Sequence, residues 1–353
     1  MRVAIVNDMP LATEGLKRLI LSNPSYQVAW TAANGEAAIQ KCLADRPDVI
    51  LMDLVMPGIS GADTTREIMK KSPCAILVVT ATVAGNFKLV NEAMGYGAYD
   101  AVETPSINGK TDSASQLMAK LVNVERINQR LHGTASTNPA QPTKPAFVPP
   151  GNSQSIANQP AVVAIGSSTG GPAALEVILS QLKPTFPAAI LVAQHIGEQF
   201  ARPLVQWLSS RCKIRISAAE PGMRPAAGTV YIAATSDHLI LASDGTLQYS
   251  PIPLENPYRP SVDALFNSIA DAGCKPRVAV LLTGIGNDGA RGLLRLRQAG
   301  WHTIAQDEAT CVVYGMPQAA AILGAASRVL PLQEIAVSME AFLGSSAPYS
   351  SSR

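Results

Sequence analysis

Ser168 sits in the run Ala-Val-Val-Ala-Ile-Gly166-Ser-Ser168-Thr-Gly170-Gly171, where an apolar stretch ends in a glycine-flanked turn and Pro172 opens a helical pattern. The spacing is G-x-S-x-G, which places a hydroxyl at the carboxyl end of a strand with a helix N-terminus beneath it. Unpaired N–H groups at such a helix start can stabilise a developing oxyanion, so the chemistry indicated is acyl transfer through a serine nucleophile. Gly-rich strand-to-helix turns also cradle phosphates, and the turn alone leaves that reading open. Dinucleotide binding fits less well. Gly166, Ser168 and Gly171 give G-x-S-x-x-G, with a side chain where a pyrophosphate needs bare backbone.

A nucleophilic serine needs a base, and the base needs an orienting acid. The chain offers four histidines. His195 follows the apolar run 189–194 and so stands at the carboxyl end of the strand after the Ser168 helix. His302 precedes its strand, at the opposite edge of a parallel sheet. His132 and His238 read as surface or local structure. His195 is therefore the expected base. For the acid, Thr283-Gly-Ile-Gly-Asn-Asp288-Gly289 puts Asp288 in another glycine-rich loop at a carboxyl edge, with Asp307 as rival one strand later. The resulting chain order is Ser–His–Asp. The order Ser–Asp–His would require Ser168, Asp288 and His302, which fails on sheet geometry.

A second group of reactive types lies near the N-terminus. Asn7-Asp8, Asp53, Thr80 and Glu103-Thr104-Pro105 end successive apolar runs, and ligands in open parallel sheets collect at the carboxyl ends of strands. Neighbouring carboxylates suit Mg²⁺, which takes a few protein oxygens plus waters, and an aspartate there can accept a phosphoryl group. The plainer alternative is that Asp8 and Asp53 are solvated strand ends.

The elements that must position these residues are legible in outline. Strand-like runs at 2–8, 27–32, 49–55, 75–81 and 98–102 alternate with amphipathic segments, which implies βαβ units and a five-stranded, doubly wound parallel sheet. Prolines with Gly, Ser, Thr, Asn and Gln then mark a flexible linker, residues 132–157. It separates a module at 1–131 from one at 158–345. The second module carries runs at 162–165, 189–193, 278–283 and 303–306 and is expected to be mostly parallel α/β as well. Around 228–250, short runs joined by turns such as Asp244-Gly245 suggest antiparallel hairpins. The tail from residue 344 reads as disordered.

Composition narrows the classes. An apolar fraction of 47% with 15% charged residues describes a well-packed globular α/β chain. A net charge of +2 gives no reason to expect nucleic acid or an anionic membrane surface as partner. The five cysteines are scattered without C-x-x-C spacing, as in a reducing compartment. With no signal-peptide pattern and no long apolar run, a cytoplasmic protein without membrane insertion is expected.

The motifs also carry two family resemblances. Val6-Asn7-Asp8, Leu51-Met52-Asp53-Leu-Val-Met56-Pro57-Gly58, Val79-Thr80-Ala81 and Gly97-Ala98-Tyr99-Asp100 resemble the response-regulator receiver domain in order and spacing. That resemblance implies Asp53 as phosphoacceptor, Asp8 and Asp53 as Mg²⁺ ligands, and Thr80 as the hydroxyl that senses the phosphate. Asn7 stands where that family usually has a second acid, and Thr104 where it has a lysine. The loss of a cation that would pair with the phosphoryl group bears on phosphorylation output, not on the fold. Ser168-Thr-Gly-Gly, Gln194-His195, Arg259-Pro-Ser-Val-Asp263, Thr283-Gly-Ile-Gly-Asn-Asp288-Gly and Gln306-Asp-Glu-Ala-Thr310 with Tyr314-Gly-Met-Pro317 resemble the chemotaxis protein-glutamate methylesterase family, CheB.

The second resemblance implies Ser168 as nucleophile, His195 as base, Asp288 as orienter, and oxyanion donors at the backbone N–H groups of Thr169 and Ile285. It implies a phosphorylation-regulated hydrolase of glutamyl methyl esters, which also deamidates glutamines. The substrate would be methylated chemoreceptor cytoplasmic helices and the phosphodonor a histidine kinase. Hydrolysis would need no cofactor, and Mg²⁺ would serve receiver phosphorylation. The unusual Glu103-Thr104-Pro105 resembles the branch serving Wsp-type surface-sensing pathways. Two rivals remain at this level: a small-molecule serine esterase, and a non-enzymatic phosphorylation-dependent docking module with a vestigial triad.

Overall fold

The structure is a computed structural model of the chain, and it describes residues 1–81, 85–105, 113–132, 161–253, 256, 258–275 and 277–344. Nearly all of the stretch read as linker, and the C-terminal tail beyond 344, fall outside the described residues.

The first module runs β1 (Arg2–Val6), α1 (Pro10–Leu21), β2 (Gln27–Ala32), α2 (Gly35–Ala44), β3 (Val49–Met52), α3 (Gly61–Lys71), β4 (Ala75–Thr80), α4 (Phe87–Gly95), β5 (Asp100–Glu103) and α5 (Ser113–His132). Its five strands are parallel in the order β2-β1-β3-β4-β5. Helices cover both faces, so the central strands must be apolar throughout; β3 reads VILM and every residue of it is buried. Helix starts are set locally: the Asn34 side chain accepts the Ala37 N–H and Ser60 accepts the Asp63 N–H.

The second module runs β6 (Ala161–Ser167), α6 (Gly171–Leu179), β7 (Ala188–Gln194), α7 (Glu198–Arg211), β8 (Arg215–Ala218), β9 (Thr229–Ile232), β10 (His238–Leu241), β11 (Leu247–Ser250), α8 (Val262–Asp271), β12 (Val278–Leu281), α9 (Ala290–Gln298), β13 (His302–Gln306), α10 (Met316–Ile322), β14 (Arg328–Leu330) and α11 (Leu332–Gly344). Seven strands form a parallel sheet in the order β14-β13-β12-β6-β7-β9-β8. The antiparallel element is smaller than the turn pattern suggests. Among the described residues only β10 and β11 form a hairpin, whereas 229–232 joins the parallel sheet between β7 and β8. All of β9 is buried, which is what a strand inside a doubly covered sheet requires. Strands β8 and β14 give too short an apolar run to stand out in sequence.

The two modules pack on each other. Met94 and Ala98 of the first share one apolar cluster with Leu175 and Ile178 of the second, and α4 lies against α6. The backbone N–H of Gly170 donates to the Met94 carbonyl at 3.3 Å, so the end of α4 seats on the turn that follows Ser168.

Candidate active site and receiver site

Strand β6 delivers Ser167 and Ser168 to the carboxyl edge, and the chain turns through Thr169 and Gly170 into α6. Gly170 caps the helix at φ +79°, and a Cβ there would lie 2.7 Å from Val312, so the turn needs glycine on both counts. Gln194, the last residue of β7, clamps the turn. Its Oε1 accepts from the Ser167 hydroxyl at 2.6 Å, and its Nε2 donates to the carbonyls of Ser168 (2.9 Å) and His195 (3.0 Å). From the segment just after β12, the Thr283 carbonyl accepts the Ser168 N–H at 3.0 Å and the Thr283 hydroxyl donates to the Thr169 carbonyl at 2.9 Å. The turn that carries Ser168 is therefore fixed from both sides, by the end of β7 and by the segment after β12.

Ser168, His195 and Asp288 come to the same sheet edge, 1%, 6% and 3% exposed. His195 Nε2 lies 2.8 Å from Asp288 Oδ2. The carboxylate also accepts the Ser261 hydroxyl (2.9 Å), the Val262 N–H (2.6 Å) and the Asp263 N–H (3.2 Å). Those donors are the first turn of α8, whose positive end favours a carboxylate. Burial pushes the Asp288 carboxyl up, but the bond and charge of His195, with the bonds from Val262 and Ser261, outweigh it and hold the group below the usual carboxylate range. The next carboxyl, Asp263, is raised by burial and then by the charge of Asp288.

With Nε2 on Asp288, the neutral imidazole carries its lone pair on Nδ1. Among the described residues, His195 Nδ1 and Thr169 Oγ1 are the buried side-chain polar atoms without a hydrogen-bond partner. Unpartnered buried polar atoms are rare and cluster where a ligand or a reaction completes them. The N–H groups of Thr169 and Ile285 likewise carry no hydrogen bond among the described residues.

The rivals are placed elsewhere. Asp307 caps its own loop, accepting from the Thr310 N–H and hydroxyl. His302 stacks on Phe342. His238 is fully buried, not on the surface; its Nδ1 accepts the Ser261 N–H at 3.0 Å, so it steadies the residue that caps Asp288. The sequence motifs include Gln194 and the Arg259–Asp263 run, but sequence reasoning assigns no role to Ser261, the start of α8 or the Gln194 clamp. Gln194 adjoins His195 and its amide at a buried strand end was a usable signal; Ser261 lies 27 residues from Asp288, and no local spacing links them.

At the receiver edge, Asp53 follows β3. Its Oδ1 accepts the N–H groups of Leu54 (2.7 Å) and Val55 (3.3 Å), and its Oδ2 accepts from the Asn7 amide at 3.0 Å. Burial raises the Asp53 carboxyl; the bonds from Val55 and Leu54 oppose the rise and the charge of Asp8 adds to it. Thr80 is buried at the end of β4, where its hydroxyl accepts from Asn86 at 2.8 Å, and the Thr104 N–H donates to the Thr80 carbonyl at 2.9 Å. Asp8 and Asp53 are close enough to repel, and a pair of hard carboxylate oxygens fits Mg²⁺. Among the described residues, no cluster of three or more acidic, His or Cys ligands occurs.

Two parallel sheets, one edged by an aspartate pair and the other by a buried Ser–His–Asp set, define a receiver domain joined to an α/β hydrolytic domain. The chain belongs to the CheB methylesterase family: residues 163–339 match the family CheB methylesterase, and residues 3–112 match the response regulator receiver domain. It is 46% identical over 336 residues to a protein-glutamate methylesterase/protein-glutamine glutaminase of Burkholderia orbicola, covering 95% of this chain and 96% of that one. A protein of the same description from Pseudomonas syringae pv. syringae is 44% identical, over 95% of this chain and 97% of its own. Among solved structures, the Thermotoga maritima CheB methylesterase catalytic domain is 36% identical, with a TM-score of 0.50, covering 52% of this chain and 98% of that chain.

Proposed function

We propose that this chain is a phosphorylation-regulated serine hydrolase that removes methyl groups from glutamyl methyl esters of chemoreceptors and deamidates receptor glutamines. The observation that carries the reading is the His195–Asp288 pair with its unpartnered Nδ1, on the same sheet edge as Ser168. In the ester reaction Ser168 Oγ attacks the carbonyl carbon and His195 Nδ1 takes the hydroxyl proton. Asp288 holds the opposite N–H and stabilises the imidazolium. The N–H groups of Thr169 and Ile285 supply the oxyanion donors. His195 then returns the proton to the leaving methoxide, and methanol departs. Water, deprotonated by His195, hydrolyses the acyl-enzyme to the glutamate. With a glutamine, ammonia leaves in place of methanol, by the same steps.

Regulation follows from packing. The contact of Gly170 with Met94, and a cleft of about 180 Å³ lined by Tyr99, Asp100 and Lys120 of the receiver with His195, Tyr258 and Arg259, support a receiver that covers the catalytic edge. Phosphorylation of Asp53, by a histidine kinase and with Mg²⁺ held by Asp8 and Asp53, would shift this closed state towards an open one. Among the described residues, no helix is long and apolar enough to cross a membrane.

Methanol release from methylated receptor membranes, with and without a phosphodonor, tests the reading. Ser168→Ala should lose roughly 10⁴-fold or more. Near-normal release by that variant would overturn it.

A further inference from the structure

His195 is held in its own plane at one edge only. Nε2 bonds Asp288 and Nδ1 has no partner among the described residues, so a single hydrogen bond fixes one ring atom and leaves the ring able to rock about that contact. What stops the rocking lies on its face. The Tyr258 ring stacks on the imidazole with centroids 4.9 Å apart and planes 18° from parallel. Tyr258 is itself buried, and its backbone N–H is anchored on Asn256 Oδ1 at 3.0 Å. Its hydroxyl end occupies the space a side chain at position 286 would fill: a Cβ on Gly286 would come within 2.1 Å of Tyr258 Oη. The residue beside that glycine is Ile285. One aromatic side chain thus lies against both the imidazole and the loop assigned to the oxyanion.

We propose that Tyr258 is a positioning residue for ester hydrolysis: its ring sets the plane of His195 so that Nδ1 meets the Ser168 hydroxyl, and its π face meets the imidazolium that forms on proton transfer. Offset aromatic pairs gain energy beyond their buried area, and a ring beneath a cation adds an electrostatic attraction that exists only once the imidazole is charged. The second contribution grows in the transition state, so it acts on kcat and not on substrate affinity. The phenolic oxygen plays no part in either contribution. The proposal rests on the methylesterase reading.

The test uses the full chain with acetyl phosphate, measuring methanol release from methylated receptor membranes per folded molecule, folding being read by near-ultraviolet circular dichroism. Tyr258→Leu should lower kcat roughly tenfold or more with KM within about twofold, and Tyr258→Phe should stay within about twofold of wild type. Should the leucine variant not fold, Tyr258→Met, which keeps apolar bulk without a ring, takes its place with the same expected loss. A receptor-independent readout is the rate at which a fluorophosphonate labels Ser168, forming the Oγ–P bond, expelling fluoride and passing the serine proton to His195. It should fall in the leucine or methionine variant and not in the phenylalanine one. A ringless variant that is folded and as fast as wild type in both measurements overturns the proposal, as does a phenylalanine variant that falls as far as leucine. If wild type labels at Ser168 but releases no methanol, the methylesterase reading fails while the labelling rates still decide the role of Tyr258.

Discussion

The two sheet edges treat their aspartates in opposite ways. Asp288 is 3% exposed and accepts bonds from His195, Ser261, Val262 and Asp263, so neither oxygen is left for anything else. Asp53 takes the N–H groups of Leu54 and Val55 on one oxygen, while among the described residues the other meets only the Asn7 amide. The net effect on ionisation differs in sign: burial is outweighed at Asp288 by the bond and charge of His195 with the bonds from Val262 and Ser261, whereas at Asp53 burial, helped by the charge of Asp8, outweighs the backbone bonds. A carboxylate whose proposed work is to orient an imidazole is enclosed by donors and favoured in its charged form. One whose proposed work is to form a bond keeps an oxygen with a weak, replaceable partner. The saturated site should be intolerant of change at its centre, and the open one tunable.

The largest effect expected is at the saturated site. Asp288→Asn keeps the shape but offers an N–H where His195 Nε2–H now donates, favouring the tautomer with the proton on Nδ1. That tautomer cannot accept the serine proton, and kcat should fall on the order of 10³- to 10⁴-fold. Methanol release by this variant within tenfold of wild type would remove the saturated carboxylate from the mechanism. A smaller effect is expected from separating the edges. A fragment beginning at Asn158 should release methanol roughly tenfold faster than the unphosphorylated full chain, since a domain tethered on the same chain keeps the competent state a minor one. Equal rates in the two proteins would mean that the Gly170–Met94 contact does not occlude substrate.

The open site should respond to charge. Thr104 donates its N–H to the Thr80 carbonyl, and its short neutral side chain can offer a phosphoryl group one hydroxyl bond at most. Thr104→Lys supplies a charge-assisted donor and should raise the activation given by a phosphodonor a few-fold, roughly the gain of one charged hydrogen bond shared between docking and release. Phosphate incorporation measured alongside should be confined to Asp53 and vanish in Asp53→Asn. Label that persists in Asp53→Asn would move the acceptor elsewhere.

The same contrast explains what the sequence discloses. Ser168 and His195 each follow directly on an apolar strand and Asp288 lies in the glycine-rich loop after β12, so strand direction sorts His195 from His302 and brings the three to one edge. The parallel sheets are legible for the same reason, because a strand such as β3 with all four residues buried has to be apolar throughout. What stays hidden is support that comes from the side. The first turn of α8 reaches Asp288 across 26 residues, His238 braces Ser261 from a hairpin, and Tyr258 stacks on His195 from a segment with no periodicity. The Thr229–Ile232 run reads as hairpin because a turn-rich stretch follows it; its pairing partners β7 and β8 are fixed by burial that local pattern does not record.

The smallest effect expected concerns Asp263, the price the saturated site exacts from its neighbour. Burial and the charge of Asp288 push the Asp263 carboxyl up to about 7. An acid that holds its proton more tightly folded than unfolded makes the folded state bind more protons across that interval. Stability therefore falls as pH rises from the ordinary carboxylate range to about 7, and levels off above it. Asp263→Asn keeps the oxygen that accepts the Gly292 N–H at 2.7 Å, yet has no proton to lose and no charge to repel Asp288. The variant should match wild type in thermal melts near pH 4 and exceed it at pH 8 by roughly 2–4 °C. A difference in melting temperature that is the same at both pH values would show that Asp263 folds already ionised, and that Asp288 costs its neighbour nothing.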